Sequence, residues 1–331
     1  MTRRTTAATL ALLLTLLAGC GSDPDPAPEP LGAAEPGSSP ELTAEPAGTV
    51  ELLDQQPEGI VYDGVTDLLA VAVRDPDRLL LVRGETGEVE RTVELPGHAR
   101  HLQIGAPGGP VLVPAEDSDM FLTVSLPDGQ VTRTDVGDYP HDAAQTASGR
   151  ILVADERGGT LSVVEAGDVV TTFDDVTQPG GITAVGDVAA VVDVGAFTLS
   201  TYDVVAETAL DVVPAGEGPT HLVTDRRGGV VVADTRGDAL LLFDVDPLRQ
   251  RAAFPLAGTP YGIAYDATAD IVWVTLTARN EVVGISLVGA APAEVARFPT
   301  VRQPNTLAVD PVSGRLWIAS RTTGELQTIE R

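Results

Sequence analysis

All four histidines of this 331-residue chain, His98, His101, His141 and His221, fall within two residues of a position that recurs down the sequence. An imidazole titrates near neutrality and can bind a divalent metal, move a proton or hydrogen-bond a small ligand. Histidines held at one phase of a repeat therefore mark a place to look for chemistry. His101 and His221 stand two residues after the recurring position. His141 and Glu58 share the neighbouring phase with Arg100, Tyr261 and Asn305, and Asp142 follows His141 directly. Together these residues are the candidate ligand-binding set. Glu58, His141 and His221 supply the donor types for a divalent metal; no other cofactor is indicated. The alternative is structural, with each histidine bonding the backbone of the turn that it occupies.

A second set repeats at another phase. Arg74, Arg157, Arg236 and Arg321 each lie seventeen residues after the recurring position, and Arg279 is close to the same phase. In a chain of net charge −27, fixed cations gathered at one rim would attract a small anionic ligand or an acidic protein segment. They would equally serve as solvated turn residues, paired with neighbours as Asp155 with Arg157 or Asp234 with Arg236. Exposed pairs of that kind contribute only about 0 to 1 kcal/mol each.

The element that positions both sets is a repeat. Its opening residue is Pro57, Pro140, Pro179, Pro219, Pro260 or Pro304, with Ala99 filling the remaining place, and successive openings are 39 to 44 residues apart. That interval suits a four-stranded propeller blade and is short for a kelch unit. Within Pro219 to Gly258, four apolar runs separated by Asp, Arg and Gly read as four consecutive antiparallel strands. Seven openings predict seven blades. Only three strands' worth of chain follows Pro304, whereas Thr49 to Leu53 precedes Pro57 as Arg91 to Leu95 precedes Ala99. The expected fold is therefore an all-β, seven-bladed β-propeller spanning 49–331, its last blade closed by the N-terminal strand. Trp273 and Trp317 fall at a mid-strand phase filled elsewhere by Val153 and Val232, which predicts core rather than a ligand platform.

Ile151-Leu152-Val153-Ala154-Asp155 followed by Leu161-Ser162-Val163-Val164 resembles the YVTN and NHL classes of propeller repeat. Asp155, Asp193 and Asp234 stand where those families often carry Asn, and the landmarks of WD repeats are absent. The resemblance implies a binding surface, an interaction scaffold, a lactonase or a lyase without choosing among them. Pro57-Glu58-Gly59-Ile60 is similar to the first blade opening of gluconolactonase-like propellers, which implies a divalent metal on Glu58. Asn305 would supply that family's Asn, but its Asp has no counterpart and the family has six blades. The tryptophan-docking pattern of the eight-bladed quinone-dependent dehydrogenases is missing.

Before the repeats, residues 1–19 carry Arg3 and Arg4, an apolar stretch from Ala7 to Ala18, and then the only cysteine. This reads as an export signal, and Leu17-Ala18-Gly19-Cys20 resembles a bacterial lipobox with Cys20 as the lipidated residue. Residues 20–48, rich in Pro, Glu, Ala and Ser, read as a disordered tether. The expected location is the extracytoplasmic face of a cell membrane, with the bilayer as partner through Cys20 alone. Net charge −27 speaks against nucleic acid, and no Gly-x-Ser-x-Gly elbow, phosphate loop or His-Glu-x-x-His helix is present. The primary expectation is a surface-anchored ligand-binding or protein-interaction propeller; the alternative is a metal-dependent lactonase- or lyase-like enzyme acting at the channel mouth.

Overall fold

The computed structural model describes residues 32–53 and 56–331. The expected export signal over residues 1–19, the expected lipidation residue Cys20 and residues 21–31 lie outside the described residues. Within them, seven four-stranded antiparallel sheets follow one another along the chain. Their inner strands are Gln56–Asp63, Gln103–Ile104, Pro140–Gln145, Pro179–Val185, Pro219–Thr224, Pro260–Asp266 and Pro304–Val309, here numbered blades one to seven. Second strands such as Gly229–Asp234 and Ile271–Leu276 are buried along their whole length, because each is covered by a blade on either side. Outermost strands such as Val89–Glu94 are mainly exposed. The apolar clusters accordingly lie between blades, as where Ala70, Leu79 and Leu81 of blade one meet Leu102, Val113 and Leu122 of blade two.

The ring closes as a composite blade. Thr49–Leu52 pairs antiparallel with the last strand, placing Thr49 opposite Thr328 and Leu52 opposite Glu325. The fourth strand of blade seven thus comes from the N-terminal side of the ring, and the Glu325–Ile329 strand is paired on both sides like the third strands of the other blades. Gln327 reinforces the junction by donating from Nε2 to Ala47 O (2.7 Å) while its Oε1 accepts from Val301 N (3.0 Å). Trp273 is fully buried with its ring 6.2 Å from that of Phe298, and Trp317 packs 4.6 Å from Tyr62. Both tryptophans are core.

Two differences from the sequence expectation matter. Blade two, which opens with Ala99 instead of proline, has an inner strand of only two residues, Gln103–Ile104. Its second and third strands are joined by a 3-10 turn, Glu116–Ser118. The other concerns the stretch expected to be a free tether. Residues 32–48 are instead laid along the ring as a strap: Ala34 and Ser39 are buried, and Ser39 Oγ donates to Thr277 O at 2.5 Å. Gln303 clasps this strap from both sides, donating from Nε2 to Gly37 O (2.9 Å) and accepting Ser39 N on Oε1 (3.0 Å). Gly37 is required where it stands, since a Cβ there would lie 2.4 Å from Thr259 Oγ1.

Candidate functional site

The blade openings explain how the candidate side chains are aimed. Proline has no N–H to give the ladder, so pairing is interrupted immediately after it. In blade one Pro57 faces Val73 and Gly59 faces Ala72, which leaves Glu58 as the extra residue of a bulge. The same irregularity isolates His141 in blade three and Asn305 in blade seven. It falls across Thr220 and His221 in blade five and across Tyr261 and Gly262 in blade six. A bulge turns its extra residue away from the pleat, here toward the axis of the ring. The preceding residue is strained as well: Tyr139, Thr259 and Gln303 hold φ of 61, 53 and 56°.

The side chains converge on one cavity of about 520 Å³ along the axis. Glu58, Arg100, His101, Asp142, His221, Tyr261, Asn305 and Arg321 all line it, with Gln103, Thr183, Thr224 and Thr306 further along the inner strands. His141 stands behind His101, their ring centres 4.4 Å apart. Asp142 lines the wall but is spent on structure: its carboxylate accepts Gln103 Nε2 (3.0 Å), Ala143 N (2.8 Å) and Ile182 N (2.9 Å), tying blades two, three and four together. Burial outweighs these bonds and pushes its carboxyl up to about 6.

His101 and His221 touch directly, Nε2 to Nε2 at 3.2 Å. His221 Nδ1 is 2.9 Å from Tyr261 O, and a carbonyl can only accept, so Nδ1 carries the proton. In a neutral His221 ring Nε2 is then a lone pair, and His101 Nε2–H must be its donor. That tautomer leaves the Nδ1 lone pair of His101 without a partner among the described residues. Burial, reinforced by the charge of His141, lowers His221 to about 4 and drives His101 well below the ordinary histidine value. Two neutral imidazoles therefore sit at the mouth, and the Nδ1 lone pair of His101 is the one left to accept a hydrogen bond.

Glu116 was not visible as a site residue in the sequence, yet it organises the polar end of the channel. Its side chain is fully buried in the 3-10 turn of blade two. Arg100 Nε donates to both its oxygens (3.0 and 2.9 Å), His141 Nδ1 lies 2.8 Å from Oε1, and His98 Nε2 lies 2.5 Å from Oε2. Burial opposes its charge, but these partners win and hold the carboxyl far below the carboxylate range. The reciprocal effect raises His98 and His141 despite their own burial. Two signals could have pointed to it: Glu116 occupies in blade two the phase that carries arginine in four other blades, and it follows the one opening with no proline.

The arginine set divides. Arg321 lines the cavity, and with Arg74 it shares Glu58: Arg321 Nε to Oε1 is 2.6 Å and Arg74 Nε to Oε2 is 2.5 Å. Arg157 instead lies flat on Tyr139, 3.5 Å from its ring centre, and Arg236 donates to Glu217 O and Gly32 O. Arg279 packs beside Gly258. Arg157, Arg236 and Arg279 therefore do not contribute to the cavity wall. Nor do Asp155 and Asp234 pair with Arg157 and Arg236; Asp155 accepts from Thr160 and Ser162, and Asp234 accepts turn amides of Glu217, Gly218 and Gly237.

The expected metal set of Glu58, His141 and His221 is corrected by this geometry. Both Glu58 oxygens face guanidinium groups, His141 Nδ1 faces Glu116 and Glu156, and His221 Nε2 is taken by His101. Among the described residues, no three His, Cys, Asp or Glu side chains are grouped so as to hold a metal ion. The strap also reaches this place, with Glu35 and Pro36 lining the mouth.

No family model matches the chain, and no curated protein matches it. Solved structures with the same ring do. Hydrazine synthase of Kuenenia stuttgartiensis matches at TM-score 0.72 and 15% identity, covering 85% of this chain and 97% of that one. Virginiamycin B lyase from Staphylococcus aureus matches at 0.70 and 12%, covering 86% and 99%. The WD40 repeats of RRP9 match at 0.72 and 14%, covering 86% and 98%. Such identities establish a shared seven-bladed propeller and nothing of the chemistry done on it.

Proposed function

We propose that this chain is a lipid-anchored, extracytoplasmic propeller that binds a small molecule at the polar end of its axial channel. One observation carries the reading: Glu58, Arg100, His101, His221, Tyr261, Asn305 and Arg321, drawn from five blades, meet around one cavity of about 520 Å³. That volume is within the common range for small-molecule sites. A scaffold for proteins would place its distinctive side chains on the outer strands or the open faces; here they face the lumen. The lipobox at Cys20 and the export signal support the anchored location, with a YVTN- or NHL-like blade as the repeat. The decisive experiment is a small-molecule screen by thermal shift, followed by calorimetry on the wild-type protein and on His221→Ala and Tyr261→Phe. Saturable one-to-one binding that the two substitutions weaken supports the reading. Binding that neither substitution changes places the site elsewhere and refutes it.

A second reading rests on the unpartnered Nδ1 of His101. A neutral imidazole at the wall of a ligand cavity can take a proton from a bound ligand, weak as burial makes His101 as a base, and a lactonase- or lyase-like activity would need such a group. Virginiamycin B lyase, among the structural neighbours, is named for such a reaction. Conversion of a bound ligand over time, abolished by His101→Gln while binding persists, would favour this reading.

A further inference from the structure

Two guanidinium groups share one buried carboxylate at the mouth. Glu58, with 2% of its side chain exposed, faces two guanidinium groups, so the three side chains together carry one surplus positive charge. Of the two arginines, Arg321 is the more open, 45% against 27% exposed, and it alone lines the cavity. Its Nε is committed to Glu58, while its two Nη groups have no partner among the described residues. A guanidinium anchored through Nε and open at both Nη atoms presents the fork that takes a carboxylate or phosphate by two parallel bonds. Its surroundings are donors too. Asn305 Oδ1 accepts from Gln303 Nε2 at 2.9 Å, leaving the Asn305 amide hydrogens for the cavity. Further along the wall Thr183, Thr224 and Thr306 offer hydroxyls to the hydroxyl groups of a ligand, beside aliphatic residues such as Ile60, Leu102, Ile263 and Leu307 that can cover its carbon faces.

We propose that the Arg321 end of the channel is an anion subsite, and that the ligand is a polyhydroxylated organic anion with a carboxylate or phosphate head on Arg321. At about 520 Å³ the cavity accommodates roughly two dozen non-hydrogen atoms, the size of an acidic disaccharide. Glu35 of the strap stands at the same mouth with no ion-pair partner among the described residues, and it opposes anion entry by like charge. The proposal rests on the reading of the channel as a small-molecule site and adds its ligand class.

Calorimetry with two matched pairs of probes tests it: lactobionate against lactose, and trehalose 6-phosphate against trehalose. We expect at least one anionic sugar to bind one-to-one and at least tenfold tighter than its neutral counterpart. The better of the two anions identifies the head group as carboxylate or phosphate. Arg321→Ala should remove the charge preference by weakening the anion about 10- to 100-fold, the range for one charge-assisted pair. Arg74 remains to neutralise Glu58 in that variant, and circular dichroism will confirm the fold. Arg157→Ala, a substitution outside the cavity, should leave the preference intact. Glu35→Gln should tighten the anion about two- to fivefold through its charge. Equal binding of charged and neutral sugars, binding of none of the four, or a preference that survives Arg321→Ala would overturn the subsite. A screen ligand lost in His221→Ala but indifferent to Arg321→Ala would overturn it while leaving the channel function standing.

Discussion

Replacing Glu116 by Gln tests the electrostatic account of the channel most directly. The carboxylate is fully buried and faces Arg100 at 2.9 and 3.0 Å, His141 at 2.8 Å and His98 at 2.5 Å. Gln preserves the volume but removes the charge, leaving Arg100 with Tyr139 as its remaining partner and both histidines without their principal acceptor. Breaking a buried pair by removing one partner costs about 3 to 5 kcal/mol, because the other charge stays desolvated. For a ring of this size that corresponds to a fall in melting temperature of roughly 6 to 20 °C.

The pH dependence gives a sharper check. His98 and His141 are raised in the fold, so their contribution is fully present below the unfolded histidine value of about 6.5 and is lost as pH rises through the folded values. Glu116 itself is ionised in folded and unfolded chains alike above about pH 5.5, since its folded value is depressed. The stability difference between wild type and Glu116→Gln should therefore be largest near pH 5.5 and shrink toward pH 8.5, where mainly the Arg100 part remains. Urea denaturation across that range measures it. Proton NMR is simple with four histidines in the chain and should show His98 and His141 titrating at lower pH in the variant. Melting temperatures within a degree of each other at pH 5.5, or a difference that grows with pH, would refute the electrostatic account.

Three further outcomes are expected. Deleting residues 49–53 should lower the melting temperature more than deleting the strap residues 32–41, because only the first exposes the edge of the Glu325–Ile329 strand; equal losses would contradict the closure seam. Cys20→Ser should abolish incorporation of labelled fatty acid, and label persisting on the variant would remove the lipid-anchor reading. His221, buried and lowered to about 4, binds fewer protons folded than unfolded between pH 4 and 6.5, so it draws stability down as pH falls through that window. In His221→Gln the loss across the window should be smaller than in wild type by ~3 kcal/mol, because each pH unit between the folded and unfolded values is worth about 1.4 kcal/mol; an unchanged acid limb in urea titrations would show that the ring is not held neutral.

The ring was legible because it is written seven times: a proline ruler and alternating apolar runs state the same blade repeatedly, and even the seam at Thr49 could be found by analogy with Arg91 to Leu95. The convergence of Glu58, His101, His221, Tyr261 and Asn305 followed from two adjacent repeat phases, since one phase in a closed ring is one radius and one height and its neighbour enters the same inner strand. Partners were harder to read. Phase alone could not separate Arg321, whose blade brings it to the cavity, from Arg157, which Tyr139 captures by offering a ring face. Glu116 was overlooked because it breaks the arginine phase, and the partners that it gathers depend on the 3-10 turn of blade two, which spacing does not show. The strap escapes a sequence reading for another reason. Its composition is that of a spacer, and what holds it is backbone carbonyls meeting Gln303, Asn280 and Arg236, contacts that composition cannot report.

That strap also sets the path of a mechanical load. A pull on the chain upstream of Gly32 meets Arg236 on Gly32 O first, then the Gln303 clasp around Gly37 and Ser39, then Asn280 on Pro40 O and Arg302 on Glu41. Only after these does tension reach Thr49–Leu52, whose backbone bonds to the last strand keep the circle shut. The anchorages yield in series, and each that gives way lengthens the leash before the seam is stressed. Peeling begins with residues 32–36, the part that brings Glu35 and Pro36 to the channel mouth, so a ring tugged from its N-terminal side would open its mouth well before it lost its shape.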